Sequence, residues 1–197
     1  MNSKKPKIKI DLIPLVKKNE EQIEYIKQVR ELLKEQYKYN DTLSKETVRA
    51  LKRYTDSIHM NDSTEPEDTH DFSLVKRAFE SGPSLFTSLT VYRGMSSHYN
   101  SIYSSNGFIS TSFIKDSAKV FTEENCCLYR ITLTPGAYTV LPLDKLSSTP
   151  DEYEILLPPG KLSVQMYDIE ANEYYCTYIP DNSVIIPTTE CVECNIK

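Results

Sequence analysis

The sequence predicts an α+β domain in which helices come first and a largely antiparallel sheet follows. Two observations carry that expectation. From residue 19 to residue 79 the apolar residues recur three and four positions apart, the period of helices buried along one side. After Gly82-Pro83 the period changes to short runs of β-branched and aromatic residues separated by Gly, Pro, Asn and Ser, the pattern of strands joined by turns. Grouping the two kinds of element in blocks, without alternation, points away from a doubly wound parallel sheet.

Each element has a local reason. Residues 1–17 are basic and Pro-punctuated and read as an extended lead-in. From Asn19 to about Tyr39, Ile23, Ile26, Val29, Leu32, Leu33 and Tyr37 keep helical spacing, with acids early and Lys34 and Lys38 late, as the helix dipole favours. Thr42 or Ser44 can cap a second helix, buried through Val48, Leu51, Tyr54 and Ile58 and ending near Asn61. An acidic, Pro-broken loop follows, and His70 or Asp71 starts a third helix bearing Leu74, Val75, Ala78 and Phe79. The expected strands are Leu89–Arg93, Phe108–Phe113, Cys127–Thr134, Tyr138–Leu141, Glu154–Leu157 and Leu162–Ile169, with Tyr174–Ile179 and Val184–Ile186 closing the sheet. Asn106-Gly107 marks a turn before the second strand, the Ser96–Asn106 stretch reads as loop, and a short helix is expected over Ala118–Glu124.

The chain's 197 residues suffice for one substantial core, with a helical part over 18–82, a β-rich part over 83–190 and a tail at 191–197. Net charge is -5 and no Lys/Arg run is long enough for a nucleic-acid footprint, so phosphate-driven binding is disfavoured. No apolar run is long enough to span a bilayer and the first residues lack a secretory apolar stretch, so the expectation is a soluble protein, cytoplasmic as read and not membrane-bound, with delivery into a host or target cell left open. Five cysteines, Cys126, Cys127, Cys176, Cys191 and Cys194, are odd in number and absent from the first 125 residues, which predicts reduced thiols. Cys191 and Cys194 form a C-x-x-C that is half a zinc site, a redox pair or neither; without a second pair, no metal is expected.

Candidate chemistry begins at Pro150–Gly160, P-D-E-Y-E-I-L-L-P-P-G, where Glu152 and Glu154 stand one residue apart at the mouth of an apolar strand. Strand alternation would turn both carboxylates to one side, an arrangement that chemistry or a cation would use and that repulsion otherwise disfavours. Arg93 ends the apolar strand V-Y-R-G, where its planar fork suits a phosphate or carboxylate, and Gly94 would let a ligand approach the backbone. In G-F-I-S-T-S-F, the hydroxyls of Ser110, Thr111 and Ser112 stand inside an apolar strand and need partners.

In this order and spacing the three elements resemble the arginine, serine and glutamate (R-S-E) signature of the toxin-like mono-ADP-ribosyltransferases. The resemblance covers roughly residues 44–169 and includes Ala118 and Phe121 after the serine strand. It implies a split pair of small sheets around an NAD cleft, preceded by helices, with NAD as co-substrate. It also implies roles. Arg93 would grip the NAD diphosphate or ribose and the Gly94 backbone the nicotinamide carboxamide. Ser110 would orient Glu154, with Thr111 and Ser112 supporting the strand as part of the cofactor site. Glu154 would hold the ribose 2'-hydroxyl as the bond to nicotinamide loosens. Glu152 would position an acceptor, and a glutamate there goes with arginine acceptors in this family, so the implied partner is a target protein modified on arginine. Tyr54 stands where some relatives place an aromatic over the nucleotide. His59 falls near the place of a second aromatic, and Pro159 replaces a frequent basic residue. The competing readings are an NAD glycohydrolase and an inactive NAD-binding or protein-interaction module.

Overall fold

The computed structural model describes residues 19–56, 70–95, 102–122, 127–136 and 138–181. The helical block is there, with one break the periodicity does not reveal. The stretch expected as a single helix is α1 (Glu20–Leu32) and α2 (Lys34–Asn40), separated at the buried Leu33, whose φ of -97° and ψ of 17° leave the helical region. Of the two candidate caps, Ser44 serves α3 (Lys45–Asp56): its Oγ accepts from the Thr47 amide at 3.1 Å, whereas Thr42 donates back to the Tyr39 carbonyl. α4 (His70–Ser81) begins at the first of its two expected starts. The expected helix end near Asn61, with His59 and the acidic loop, lies outside the described residues, as do residues 1–17, Cys126, the strand at 184–186, Cys191 and Cys194.

The β-rich part contains β1 (Leu89–Met95), β2 (Ile102–Ser105), β3 (Ile109–Ser112), α5 (Lys115–Lys119), β4 (Cys127–Leu133), β5 (Leu141–Pro142), β6 (Glu154–Leu157), β7 (Gly160–Asp168) and β8 (Glu173–Pro180). The strands lie in the order β2-β7-β8-β4-β1-β3-β6-β5, antiparallel throughout except for β4 beside β8. β2 falls inside the stretch expected as loop. The expected strand over Tyr138–Leu141 contracts to Leu141–Pro142, although Tyr138 and Val140 are buried as a strand would bury them. The short helix sits earlier than expected, over Lys115–Lys119. Cys127 and Cys176 are buried.

The split is visible in the pairing. β1 and β4 pair along seven positions, from Leu89↔Leu133 to Met95↔Cys127, but β1 meets β3 at the single pair Tyr92↔Ser112. That junction divides the sheet into β2-β7-β8-β4-β1 and β3-β6-β5. One core fills the space between the halves, with Val91, Tyr129 and Ile131 from the first meeting Ile109, Ile155 and Leu157 from the second, and Ile26 and Val29 of α1 closing it. A second core lies between the smaller half and the helices, where Leu141, Leu156 and Phe108 meet Leu51, Tyr54, Phe72 and Phe79. β6 is therefore buried on both faces, which explains its unbroken apolar run I-L-L. Each such side chain contributes about 1.5–3 kcal/mol when fully buried, so Glu154 starts a strand clamped from both sides.

Candidate active site

Glu154 is the first residue of β6, and Ser112 of β3 lies directly opposite it. Ser110, two residues away along β3 and on the same face, is its diagonal neighbour, within reach of a short side chain meeting a longer one. Across that diagonal the Ser110 hydroxyl donates to Glu154 Oε1 at 2.6 Å. Arg93 arrives from β1, over the thin junction between the two halves. Its Nη1 donates to the Ser110 carbonyl at 2.7 Å and its Nε to Met95 Sδ at 3.0 Å. Three residues far apart in sequence thus meet at one edge of the smaller sheet half.

Glu154 is 6% exposed. Burial pushes its carboxyl from the ordinary 4.5 up to about 7; the Ser110 bond pulls it down, the Glu152 charge pushes it up and the Arg93 charge pulls it down. A carboxyl that ionises near neutrality is suited to a site where positive charge develops. Glu152 is half-buried and also raised, by burial first, with a hydrogen bond from the Thr149 side chain opposing the rise.

The two carboxylates are adjacent for a reason other than the one expected. Strand alternation does not apply, because Pro150–Glu152 is a turn of 3-10 helix and Tyr153 is left-handed at φ 50°, ψ 44°. The turn is tied down by Ser112, whose hydroxyl donates to the Glu152 carbonyl at 2.6 Å and accepts from the Ile114 amide at 3.0 Å. Thr111, on the other face of β3, donates to the Ile155 carbonyl at 2.7 Å. Both hydroxyls are buried and engaged with backbone, so Thr111 and Ser112 support the strand and the turn.

Gly94 and Tyr54 are both closely packed. A Cβ on Gly94 would stand 2.6 Å from the Ala118 carbonyl oxygen and 2.8 Å from the Phe121 carbonyl carbon. The end of α5 and the turn after it approach this glycine closely. Gly94→Ala should therefore destabilise the fold by about 1–3 kcal/mol, read by urea denaturation; a change under about 0.5 kcal/mol, the scatter of neutral surface substitutions, would show that the turn yields. Tyr54 is 2% exposed, edge-on to Phe108 at 5.9 Å between ring centroids. It belongs to the helix-side core and covers no open surface.

Sequence reasoning misses two further residues at the site. Thr149 bonds Glu152, three residues on in the same turn, and T-P-D-E has the spacing of a local capping signal. Arg30 of α1 places its guanidinium carbon 5.9 Å from the Tyr153 ring centroid, a tertiary contact that no motif encodes. A cavity of about 410 Å³ lies elsewhere, between α2 and the end of α4, lined by Glu35, Lys38, Tyr39, Thr42 and Gly82 among others, and includes none of the expected site residues. Among the described residues no group of three or more His, Cys, Asp or Glu is placed to hold a metal ion, and no helix is long and apolar enough to cross a membrane. Segments 96–101 and 123–126, which adjoin β1 and β4 at the Arg93 end, lie outside the described residues.

Residues 96–186 match the family model for the ADP-ribosyltransferase exoenzyme. The chain has the fold of Plx2a, an ADP-ribosyltransferase toxin from Paenibacillus larvae, at a TM-score of 0.61 and 18% identity over 79% of this chain and 96% of that one. It is similar to an ADP-ribosyltransferase from Clostridium botulinum, at 0.60 and 15% identity over 77% and 94%. It is similar as well to C3stau2 from S. aureus, solved with NAD, at 0.55 and 15% identity over 81% and 96%. No curated protein matches the chain. The chain therefore has the fold of ADP-ribosyltransferases, and its residues 96–186 are similar to the exoenzyme family. The matched region begins just beyond Arg93 and includes Ser110, Glu152 and Glu154.

Proposed function

We propose that the chain moves ADP-ribose from NAD to an arginine side chain of a target protein and releases nicotinamide. The observation that carries this reading is the 2.6 Å bond from Ser110 to Glu154 beside the Arg93 guanidinium, with Glu152 close enough to raise the Glu154 carboxyl. NAD suits the donor set: a guanidinium for a diphosphate, and an oriented carboxylate for a ribose hydroxyl. The NAD bound to C3stau2 supports the same co-substrate here.

The chemistry follows from the charges. The bond from ribose C1' to nicotinamide nitrogen breaks, its electron pair leaves with nicotinamide, and positive charge develops on the ribose ring. Glu154, ionised and accepting from the 2'-hydroxyl, stabilises that charge, as carboxylates do for an oxocarbenium-like transition state. A guanidinium nitrogen of the acceptor then bonds to C1' and loses a proton. Arginine keeps that proton above pH ~12 in water, so attack requires a base at the bond being formed. Glu152, half-buried and with its carboxyl raised, supports an arginine acceptor because it can attract the guanidinium and take the proton.

Ser110→Ala should lower kcat by about tenfold or more, the worth of a hydrogen bond to a charged group. Because that bond favours the ionised form, its loss raises the Glu154 carboxyl further. The acidic limb of the rate profile should then move to higher pH. An unmoved limb would contradict the assignment of Glu154 as the group that must be ionised.

To test the reading as a whole, the protein is incubated with labelled NAD and a cell lysate and the modified residue identified by mass spectrometry. Label on arginine, lost in the Glu152→Gln variant, is the expected result. Label on cysteine or asparagine would overturn the acceptor, and no release of nicotinamide would overturn the activity.

A further inference from the structure

Tyr153 separates the two carboxylates, and its left-handed backbone is disfavoured for any residue with a side chain, persisting only where the surroundings hold it. Those surroundings can be named. The Tyr153 ring is buried against Phe113, 5.2 Å between centroids, and the Arg30 guanidinium lies over it. Arg30 is itself held: Nη2 and Nε donate to Asp144 Oδ2 at 2.6 and 3.2 Å, while the Tyr37 hydroxyl donates to Oδ1 at 2.7 Å. The Asp144 side chain has no exposure and that of Arg30 is 45% exposed, so the carboxylate is the fixed end of the pair. Asp144 follows Leu143, whose amide donates to the Glu154 carbonyl at 2.8 Å. The network touches the E-x-E stretch twice, through the Tyr153 ring and through the Glu154 backbone.

We propose that Arg30, anchored by Asp144 and Tyr37, is a positioning residue for Glu152: it bears on the Tyr153 ring, holds the left-handed backbone and so sets where the acceptor-side carboxylate stands relative to Glu154. This rests on the transferase reading above. The two carboxylates differ in how firmly they are placed. Glu154 is fixed by the β3–β6 register and by Ser110. Glu152 depends on a short turn held by the bonds from Glu152 N to the Thr149 carbonyl at 3.1 Å, from Tyr153 N to the Pro150 carbonyl at 3.4 Å, and from Ser112. Loosening Tyr153 therefore displaces Glu152 more than Glu154, and the acceptor step more than loss of nicotinamide. If the network merely fastened α1 to the sheet, both steps would decline together.

Two variants test this without exposing a buried charge. Arg30→Lys keeps a cation for Asp144, but a compact ammonium cannot both replace the fork and lie flat over a ring. Tyr153→Gly accepts the left-handed backbone and removes the ring. Each variant and the double variant are assayed with NAD, with and without agmatine as a small guanidine acceptor. Transfer to agmatine should fall about tenfold or more, while nicotinamide release to water and the KM for NAD stay within about twofold. The double variant should be no worse than the worse single one, since both act through one contact. Amide hydrogen exchange over residues 149–153 should quicken in both single variants, with α1 unchanged. A proportional fall of transfer and hydrolysis, or unchanged exchange in the turn, overturns the proposal. An unsubstituted protein that releases no nicotinamide, or releases it without transfer, overturns the transferase reading instead, and the exchange result then decides alone whether Arg30 holds the turn.

Discussion

Glu154→Gln should reduce both nicotinamide release and ADP-ribose transfer by about 10²–10³, the usual loss when one preorganised electrostatic group is removed from a transition state. The substitution is nearly isosteric and a glutamine oxygen can still accept from Ser110, so the local geometry survives and only the charge is lost. The same variant has a second, opposite consequence. Glu154 is raised from 4.5 to about 7 in the folded protein, so over that window the folded state holds a proton that the unfolded state has released. Stability accordingly falls as pH rises from 4.5 to 7, and above pH 7 the ionised, buried carboxylate costs roughly 3 kcal/mol. Glutamine carries no such cost. Urea denaturation should therefore find Glu154→Gln more stable than the unsubstituted protein at pH 8 and equal to it near pH 4. An equal difference at both pH values would mean that packing, not charge, separates the two, and retention of more than about a tenth of the activity would remove Glu154 from the chemistry.

Glu152→Gln should separate the two halves of the reaction. Transfer to a guanidine acceptor falls by about 10²–10⁴, the contribution of a positioned general base, while NAD hydrolysis proceeds within several-fold of its former rate. The physical reason is the division of labour. In the proposed reaction Glu154, with Ser110 and Arg93 beside it, would act on bond cleavage, and Glu152, beyond the left-handed Tyr153, would meet only the incoming group. Glutamine keeps the shape and hydrogen-bonding capacity of Glu152 but cannot accept the proton that attack by guanidinium releases. Side-by-side assays with NAD alone and with NAD plus agmatine check this. Equal losses in both would return Glu152 to a purely structural role.

Much of the site is legible because its residues sit at strand positions where the register does the work. The β-branched and aromatic runs place Ser110 and Glu154 on neighbouring strands, and one diagonal of an antiparallel ladder brings them together. Arg93 is legible for the same reason, as the polar residue of an apolar strand. The packing of Tyr54 is not legible because a buried tyrosine and one lining a nucleotide site have the same helical spacing; its contact with Phe108 appears only in the fold. The close approach at Gly94 is not legible either, because a sequence shows that a glycine is present but not which backbone comes close to it. The turn at Glu152 and Tyr153 escapes because no glycine or asparagine announces the left-handed residue, which is held by Phe113 and Arg30 from distant elements. The break at Leu33 and the strand β2 escape for a related reason: neither interrupts or establishes a local period, and both are defined by what the chain packs or pairs against.

The most direct test of the proposed NAD site is a crystal structure with an NAD analogue whose ribose-nicotinamide bond cannot break. The account predicts the diphosphate or its ribose on Arg93, the 2'-hydroxyl within hydrogen-bonding distance of Glu154 with Ser110 still bonded to it, and the C1' face turned toward Glu152. A dinucleotide bound with its ribose away from Glu154, for example in the cavity between α2 and α4, would contradict it.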